Sequence, residues 1–271
     1  MRRVHVAGEL WRMGATVREY FGDTDARRHY ERAHYVTLSA DYYIGVFPMT
    51  QGQYRRVMGN LPDDSTAKSY ANPDVYPVSG FSYNAIRGSQ SQGVNWPRTG
   101  HGTVLESGVI GTLRKNTGIM FDLPTEAQWE YAYRAGTTTT YFIGSSTNSL
   151  PDYAWYSANS INSSNQRMVY PVGLKTPNPW GIYEMGGTVW EFCLDWYDVF
   201  DSSAAIDPSG PEKDDDGLDN SASSTKRVRR GGSGWSNASY LRSASRVDGG
   251  VQPKTKGGDY GLRLVCPVGL R

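Results

Sequence analysis

Frequent glycine and proline residues limit what this sequence can fold into more than any other feature. The 271 residues include 31 Gly and 14 Pro, which interrupt helices and strands alike. Many turns and little long regular structure are therefore expected. This pattern argues against a helical bundle and against a doubly wound parallel sheet. It favours one domain that is rich in ordered loops.

The hydrophobic core has to rely on large aromatic side chains. Hydrophobic residues make up 38% of the chain, which is modest, but 8 Trp, 19 Tyr and 7 Phe each bury a large area. The formal net charge of +1 gives no reason to expect nucleic acid or an anionic membrane as a partner. No apolar run approaches the roughly 20 residues of a membrane span. The start, MRRVHVAGELW, lacks the apolar region that a signal peptide would have, and the sequence does not indicate a compartment.

Two segments carry strong signals for a helix start. Thr50 with Gln53, and Thr125 with Gln128, each match the capping box. A glycine, at 59 and at 136, is expected to end each helix. Weaker signals predict a short helix at 82–87 and another capped by Ser107 and ended at 118. Residues 4–49 and the aromatic-rich pieces after 137 are typical of short strands, whereas 208–226 is typical of a loop.

Glu126 and Glu130 lie one turn apart on the second capped helix. Two carboxylates at this spacing can act as an acid/base pair. A solvent-facing side with an ion pair from Glu130 to Arg134, four residues on, is the simpler interpretation. We therefore expect this face of the helix to be exposed.

The reactive side chains form no familiar catalytic or metal motif. The four His are scattered, and Cys193 and Cys266 make no CxxC pair. Two buried thiols are expected, with a single disulfide as the alternative. The acidic run 214–216 lacks the alternating ligands and the closing Glu of an EF-hand.

Seven pieces of the sequence, taken in order, resemble the formylglycine-generating enzyme family, also called the sulfatase-modifying factor family. The resemblance covers nearly the whole chain. The pieces lie at 34–59, 76–86 (YPVSGFSYNAI), 121–136 (FDLPTEAQWEYAYRAG), 177–197 (PNPWGIYEMGGTVWEFCLDWY), 227–233 (RVRRGGS), 242–246 (RSASR) and 260–265 (YGLRLV). The resemblance implies a single α+β domain over 1–271 with a C-type lectin-like fold. Small antiparallel sheets, few short helices and many ordered loops are expected.

The resemblance also bears on catalysis. The family's enzymes oxidise a sulfatase cysteine with a copper ion that two active-site cysteines hold. The matching positions here are Ser236 and Leu241. Neither provides the thiolate that Cu(I) prefers, so we expect no copper and no formylglycine-generating activity. The iron-dependent branch of the family is also disfavoured, because the chain lacks a set of three His ligands.

Another branch of the family consists of variable proteins of diversity-generating retroelements, which diversify a C-terminal segment on this fold. The resemblance implies a constant frame around a recognition segment at 234–260. The frame comprises Arg230–Ser233, Leu241–Ala244, Arg246 and Gly261–Val265, with Arg242, Arg246 and Arg263 pairing with carboxylates and carbonyls. The candidate ligand-binding residues are Trp235, Ser236, Asn237, Tyr240, Ser245, Val247, Asp248, Lys256, Asp259 and Tyr260. Trp235 and Lys256 are not products of mutated adenine-rich codons, so an undiversified relative is the alternative.

A calcium site is implied at a tight turn near the middle of the chain. At the matching positions the family binds Ca²⁺ through two side chains and two carbonyls. These would be the side chains of Glu184 and Glu191 and the carbonyls of Gly187 and Val189. Hard oxygen ligands suit this ion. Carboxylates that cap the turn or pair with arginine are the alternative.

The sequence thus favours a ligand-binding protein without catalytic activity. Ser, Gly, Asn and Tyr are the residue types that adaptable binding surfaces use, with Trp235 and Tyr240 as rigid anchors. A broad loop face suits a protein ligand, and a carbohydrate is the alternative because aromatic rings also stack on sugars. An enzyme with altered oxidative chemistry is the competing function, and a domain that only packs against another chain is a third.

Overall fold

Nine short strands and five short helices lie wholly within the residues that the structure describes. The computed structural model describes residues 1–15, 30–62, 65, 70–89, 102–164, 166–200, 203–210, 226–246 and 250–269. The strands are β1 (Arg2–Val4), β2 (Leu10–Met13), β3 (His34–Thr37), β4 (Tyr42–Ile44), β5 (Trp190–Trp196), β6 (Ala205–Ile206), β7 (Arg227–Arg230), β8 (Tyr260–Gly261) and β9 (Val265–Pro267). The helices are α1 (Gln51–Met58), α2 (Tyr83–Arg87), α3 (Val109–Thr117), α4 (Glu126–Arg134) and α5 (Leu150–Tyr153), with 3₁₀ turns at Pro73–Val75 and Ala238–Leu241.

The strands form three sheets of three strands each. The first sheet has the order β1-β4-β9 and is antiparallel throughout. The second has the order β2-β3-β6, and the third has the order β7-β5-β8. The short pairs β3–β6 and β5–β8 are parallel, so the sheets are not all antiparallel as expected. Each parallel pair joins only two residues per strand.

The helix signals in the sequence are largely confirmed. Both capping boxes form, with Thr50 bonded to Gln53 and Thr125 bonded to Gln128 in both directions. Helix α2 begins after its cap, Ser82, as expected. The predicted cap of α3 is wrong by one residue. Gly108, and not Ser107, is the N-cap of this helix. The Gly108 amide donates to the Leu105 carbonyl at 2.9 Å, and the turn that this bond closes ends one residue later than the sequence indicated.

The core is aromatic and centres on β5. This strand is buried over its whole length, as the central position in its sheet requires. Trp190, Trp196 and Tyr197 are buried, which confirms them as core residues. Trp129 and Tyr133 stack on α4 with ring centroids 5.3 Å apart. Core packing therefore relies on large rings, as the composition indicated.

The expectation of a solvent face on α4 is wrong. Glu126, Glu130 and Arg134 are all buried, at 1%, 0% and 4% exposure. The Glu130–Arg134 ion pair does form, with 2.9 Å between Arg134 Nε and Glu130 Oε1. The helix packs against β2, β5 and β7, and arginines from the end of the chain reach its carboxylates.

Both cysteines are free and buried, which confirms the prediction of two buried thiols. Burial raises the pKa of each thiol. Neither Cys193 nor Cys266 is therefore available as a thiolate at neutral pH. In the described part of the chain, no helix is both long enough and apolar enough to cross a membrane.

Candidate recognition site in the C-terminal segment

Two arginines of the frame bind carboxylates from distant parts of the chain. Arg242 donates to both oxygens of Glu31, at 2.7 and 2.8 Å. Arg246 donates to both oxygens of Glu126, also at 2.7 and 2.8 Å. Such two-point pairs fix direction as well as distance. They attach the middle of the C-terminal segment to the interior at two separate places.

Arg230 lies within a buried charge cluster on α4. Its guanidinium contacts Glu126 at 3.2 Å and pairs with Glu130. Glu130 also accepts from Arg134 and, at 2.8 Å, from the Gly14 amide. Burial opposes ionisation of Glu130, yet Arg134, Arg230 and this amide hold the pKa of its carboxyl below the ordinary value. The cluster is therefore charged and mutually compensated.

Arg263 makes the equivalent attachment to β5. Its Nε and Nη2 lie 3.0 and 2.8 Å from the two oxygens of Glu191. Trp129 Nε1 also donates to Glu191, at 2.7 Å. The other guanidinium hydrogens go to backbone carbonyls, including that of Gly45 at 2.8 Å. The predicted framework role of Arg242, Arg246 and Arg263 is thus confirmed.

Burial separates the frame from most of the segment between its parts. Every frame residue is buried except Leu264, which is half-buried. In contrast, Trp235, Ser236 and Tyr240 are half-buried, and Asn237 is exposed. The Asn237 side chain accepts from the Ser239 amide at 3.0 Å and caps the 3₁₀ turn that carries Tyr240. The surface residues therefore project from a turn that its own hydrogen bonds define.

Three of the candidate residues meet around Trp190. The Tyr240 ring lies edge-on to Trp190, with 5.8 Å between the centroids. The Asp259 carbonyl accepts from the Trp190 amide at 2.9 Å, and Tyr260 pairs with Trp190 across the sheet. Tyr240, Asp259 and Tyr260 are all half-buried, so this corner of the site is open to solvent.

Not every candidate residue joins this surface. Ser245 is buried, and its carbonyl accepts from Arg230, so it lies with the frame. Lys256 is exposed. Val247 and Asp248 lie outside the described residues. The structure thus places Trp235, Ser236, Asn237 and Tyr240 in or beside one turn, and it places Tyr240, Asp259 and Tyr260 around Trp190.

A loop that carries Ser157 and Arg167 lines one side of the site, and the sequence did not indicate this. The Ser157 amide donates to the Ser236 carbonyl at 2.9 Å. Exposed Arg167 stands over the Trp235 ring, with its Cζ 5.6 Å from the centroid. No local pattern in the sequence relates these positions, since about 70 residues separate them.

Ser236 and Leu241 both adjoin Gly232. A Cβ built on Gly232 would lie 3.4 Å from Ser236 Cβ and 2.7 Å from Leu241 Cδ1. The Ser236 hydroxyl accepts from the Ser233 amide at 3.0 Å. The Leu241 side chain is fully buried. These two side chains supply a hydroxyl and an alkyl group, and neither is a soft metal ligand.

The turn from Glu184 to Glu191 has unusual backbone geometry. Glu184 and Thr188 are non-glycine residues with positive φ, at 50° and 66°. Such values cost free energy and persist only where the surroundings impose them. Gly187, at φ 79°, donates its amide to the Gly231 carbonyl at 2.8 Å. The turn thereby connects β5 to the frame.

The groups on this turn fit a calcium ion in part. Glu184 Oε1 accepts from the Gly173 amide at 2.8 Å, whereas Oε2 is buried without a hydrogen-bond partner. An open, buried carboxylate oxygen suits a hard cation. Glu191 already accepts from Arg263 and Trp129, so a cation would share its oxygens with these donors. In the described residues, no group of three or more His, Cys, Asp or Glu forms a metal-binding cluster.

Glu184 should make stability depend on pH. Burial raises its pKa from 4.5 to about 7. Because the folded state binds this proton more tightly, the contribution is full below pH 4.5 and is lost as the pH rises through about 7. Without a bound cation, the free energy of unfolding should fall by up to about 3 kcal/mol over this range. Urea unfolding at pH 5 and pH 8 measures the change.

Glu184→Gln is the matched variant for this prediction. The amide mimics the protonated carboxyl, so the part of the pH slope that Glu184 supplies should disappear. Other buried acids, such as Asp195, whose pKa burial also raises, contribute equally to both proteins. Parallel stability curves for the two proteins would show that Glu184 titrates normally.

The three small sheets, the few short helices and the loop-borne surface define an α+β protein with a C-type lectin-like fold. Residues 3–268 match the Sulfatase-modifying factor enzyme 1-like domain. The chain belongs to this family.

The relatives that match this chain carry different names. The chain is 28% identical over 255 residues to the chaperone protein LppX of Paenibacillus barcinonensis, covering 85% of this chain and 81% of that protein. It is 32% identical over 130 residues to the formylglycine-generating enzyme of Thermomonospora curvata, covering 44% and 40%. The chain thus spans less than half the length of that enzyme.

A solved structure shares the fold over nearly the whole length. Treponema denticola variable protein 1 superposes with a TM-score of 0.72 at 23% identity, covering 98% of this chain and 94% of that one. At this level of identity, the similarity concerns the fold.

Proposed function

We propose that this protein binds a ligand without catalysing a reaction and that residues 234–260 form the recognition surface. The supporting observation is the division between a buried frame of paired arginines and a partly exposed set around Trp235 and Tyr240. A frame that is fixed from inside allows surface side chains to change without loss of the fold. Rigid aromatic anchors among small polar residues are typical of binding surfaces.

A protein is the proposed ligand. The partly exposed set lies on loops and a turn, and a loop surface of this kind suits a protein better than a small molecule. The similarity to a chaperone over most of the chain supports this choice, because chaperones act on proteins. A carbohydrate that stacks on Trp235 or Tyr240 is the alternative.

Diversification of the segment by a retroelement is a further part of the proposal. The fold shared with a variable protein of Treponema denticola supports it. An adenine-rich near-copy of the codons for 234–260 beside the gene, together with a reverse transcriptase gene, is the expected genomic arrangement. Without that arrangement, the protein would be an undiversified binder.

Two display libraries test the recognition surface. One randomises Trp235, Ser236, Asn237 and Tyr240, and the matched control randomises Leu241, Ser243, Ala244 and Arg246. The surface library should reach the display level of the parent on yeast and should yield binders to a panel of purified proteins. The frame library should display at least about tenfold less, since its positions are buried. If both libraries lose display equally, the surface residues belong to the core and the proposal fails.

An enzyme is the competing function, favoured by the similarity to formylglycine-generating enzymes. Ser236 and Leu241 argue against it, because neither can bind copper as a thiolate. Copper-dependent oxidation of a sulfatase-type cysteine peptide would overturn the binding proposal.

We also propose a structural Ca²⁺ ion held by the side chains of Glu184 and Glu191 and the carbonyls of Gly187 and Val189. The unpartnered oxygen of Glu184 supports it. Calcium chloride at about 5 mM should raise the melting temperature of the parent, by mass action on the folded state. It should leave Glu184→Gln unchanged. An equal rise in both proteins, or none in either, would contradict the site.

A further inference from the structure

Arg229 differs from the other arginines near the recognition site. Arg230, Arg242, Arg246 and Arg263 each pair with a carboxylate. In the described part of the chain, no carboxylate lies within ion-pair distance of the Arg229 guanidinium. Its Nε is buried and has no hydrogen-bond partner, although the residue as a whole is only half-buried. A partly desolvated cation with an unused donor is a costly arrangement unless something binds it.

Aromatic rings enclose this guanidinium. Its Cζ lies 4.8 Å from the ring centroid of Trp190 and 4.4 Å from that of Tyr260. Tyr240 lies edge-on to Trp190 and extends the enclosure toward the recognition segment. Rings that contact a guanidinium fix its plane and restrict water, which strengthens any charge pair formed on its free edge.

The position of Arg229 on its strand explains this placement. Side chains of a strand alternate between its faces, so Arg227 and Arg229 share a face, and Arg230 points to the other. Arg227 covers Trp196 of β5, and Arg229 covers Trp190 at the other end of the same strand. Arg230 enters the buried cluster with Glu130 instead.

We propose that Arg229, enclosed by Trp190, Tyr240 and Tyr260, is an anchor that binds a carboxylate of the ligand. This inference rests on the proposed function, since it assigns a chemical class to the group that enters the recognition surface. A carboxylate matches the planar donor edge of a guanidinium at two points. Burial lowers the pKa of Arg229, whereas Tyr260 and then Asp259 favour its charged form, and Asp259 makes no ion pair with it. A ligand carboxylate would supply a charged acceptor for the unpartnered Nε–H.

Arginine-selective NMR of the full chain tests this anchor with acetate as the probe. The Nε–Hε signal of Arg229, assigned by its loss in Arg229→Lys, should move saturably as sodium acetate replaces sodium chloride at constant ionic strength. The signal of Arg167, an exposed arginine over Trp235, should not saturate and serves as the internal control. Acetate affinity in Arg229→Lys, followed on the backbone amide signals around Trp190, should be at least about tenfold weaker.

Two further titrations identify the source of the carboxylate. Blocked glutamate tests an acidic side chain, and N-acetylglycine tests a chain terminus. Whichever of these two compounds binds more tightly identifies the source of the carboxylate, and its binding supports the anchor. Equal or tighter binding of inorganic phosphate would overturn the assignment to carboxylates, and an unmoved Arg229 signal would overturn the site.

The outcome separates this inference from the proposed function. If acetate leaves Arg229 unmoved while the surface library still yields binders, only the anchor fails. If acetate binds at Arg229 while the surface library loses display, only the recognition surface fails.

Discussion

Replacing Glu130 with glutamine should lower the free energy of unfolding by about 3–5 kcal/mol, because it leaves buried arginines without their counter-charge. Glu130 is fully buried and pairs with both Arg134 and Arg230. Glutamine keeps the size of the side chain and removes the charge, so the loss reports electrostatics more than packing. Equilibrium urea unfolding, followed by circular dichroism, measures it.

An exposed ion pair of the same kind serves as the control for Glu130. Arg55 and Asp74 lie 2.8 Å apart with side chains 41% and 48% exposed. Arg55→Ala should cost below about 1 kcal/mol, because solvent screens such pairs. Comparable losses in the two variants would show that burial adds little to the cluster on α4.

Gly187→Ala should destabilise the protein by about 3 kcal/mol or more, through backbone strain together with a steric clash. Gly187 has φ 79°, and a Cβ on it would lie 2.1 Å from the Trp155 carbonyl oxygen. That oxygen accepts from the Thr188 amide at 2.8 Å, so the two segments cannot separate without losing a hydrogen bond. Thermal and urea unfolding should both detect the change.

Gly136→Ala separates strain from clash. Gly136 has φ 88°, but no atom would lie within 4 Å of its Cβ. This variant should lose only about 1 kcal/mol, which is the cost of positive φ alone. If the free energy of unfolding falls equally in the two variants, the close approach of Trp155 to Gly187 does not add to the cost of the substitution.

Local signals predicted four of the five helices in the described residues and did not predict α5. A capping box involves residues three positions apart, so Thr50 with Gln53 and Thr125 with Gln128 contained all the information that their helices needed. The face of α4 was harder to predict. Within one helix, a Glu four residues before an Arg is typical of an exposed ion pair. Glu130 is buried instead, and its second partner, Arg230, lies 100 residues away in the sequence.

The sequence predicted the arginines that form the frame of the site, but it did not predict the residues that surround the site. Family resemblance indicated that Arg242, Arg246 and Arg263 pair inside, and they do. It did not indicate Glu31 as a partner, nor the loop that brings Arg167 over Trp235, because these contacts join distant positions. Strand alternation within 227–230 would have placed Arg229 and Arg230 on opposite faces.

The first sheet determines when the protein can finish folding during synthesis. Its middle strand, β4, is bordered by β1 from the start of the chain and by β9 near residue 267. The frame arginines likewise follow residue 226, whereas their carboxylates precede residue 192. Until the residues after 226 have been synthesised, Glu31, Glu126, Glu130 and Glu191 therefore lack these arginine partners. Such late, long-range closure slows folding.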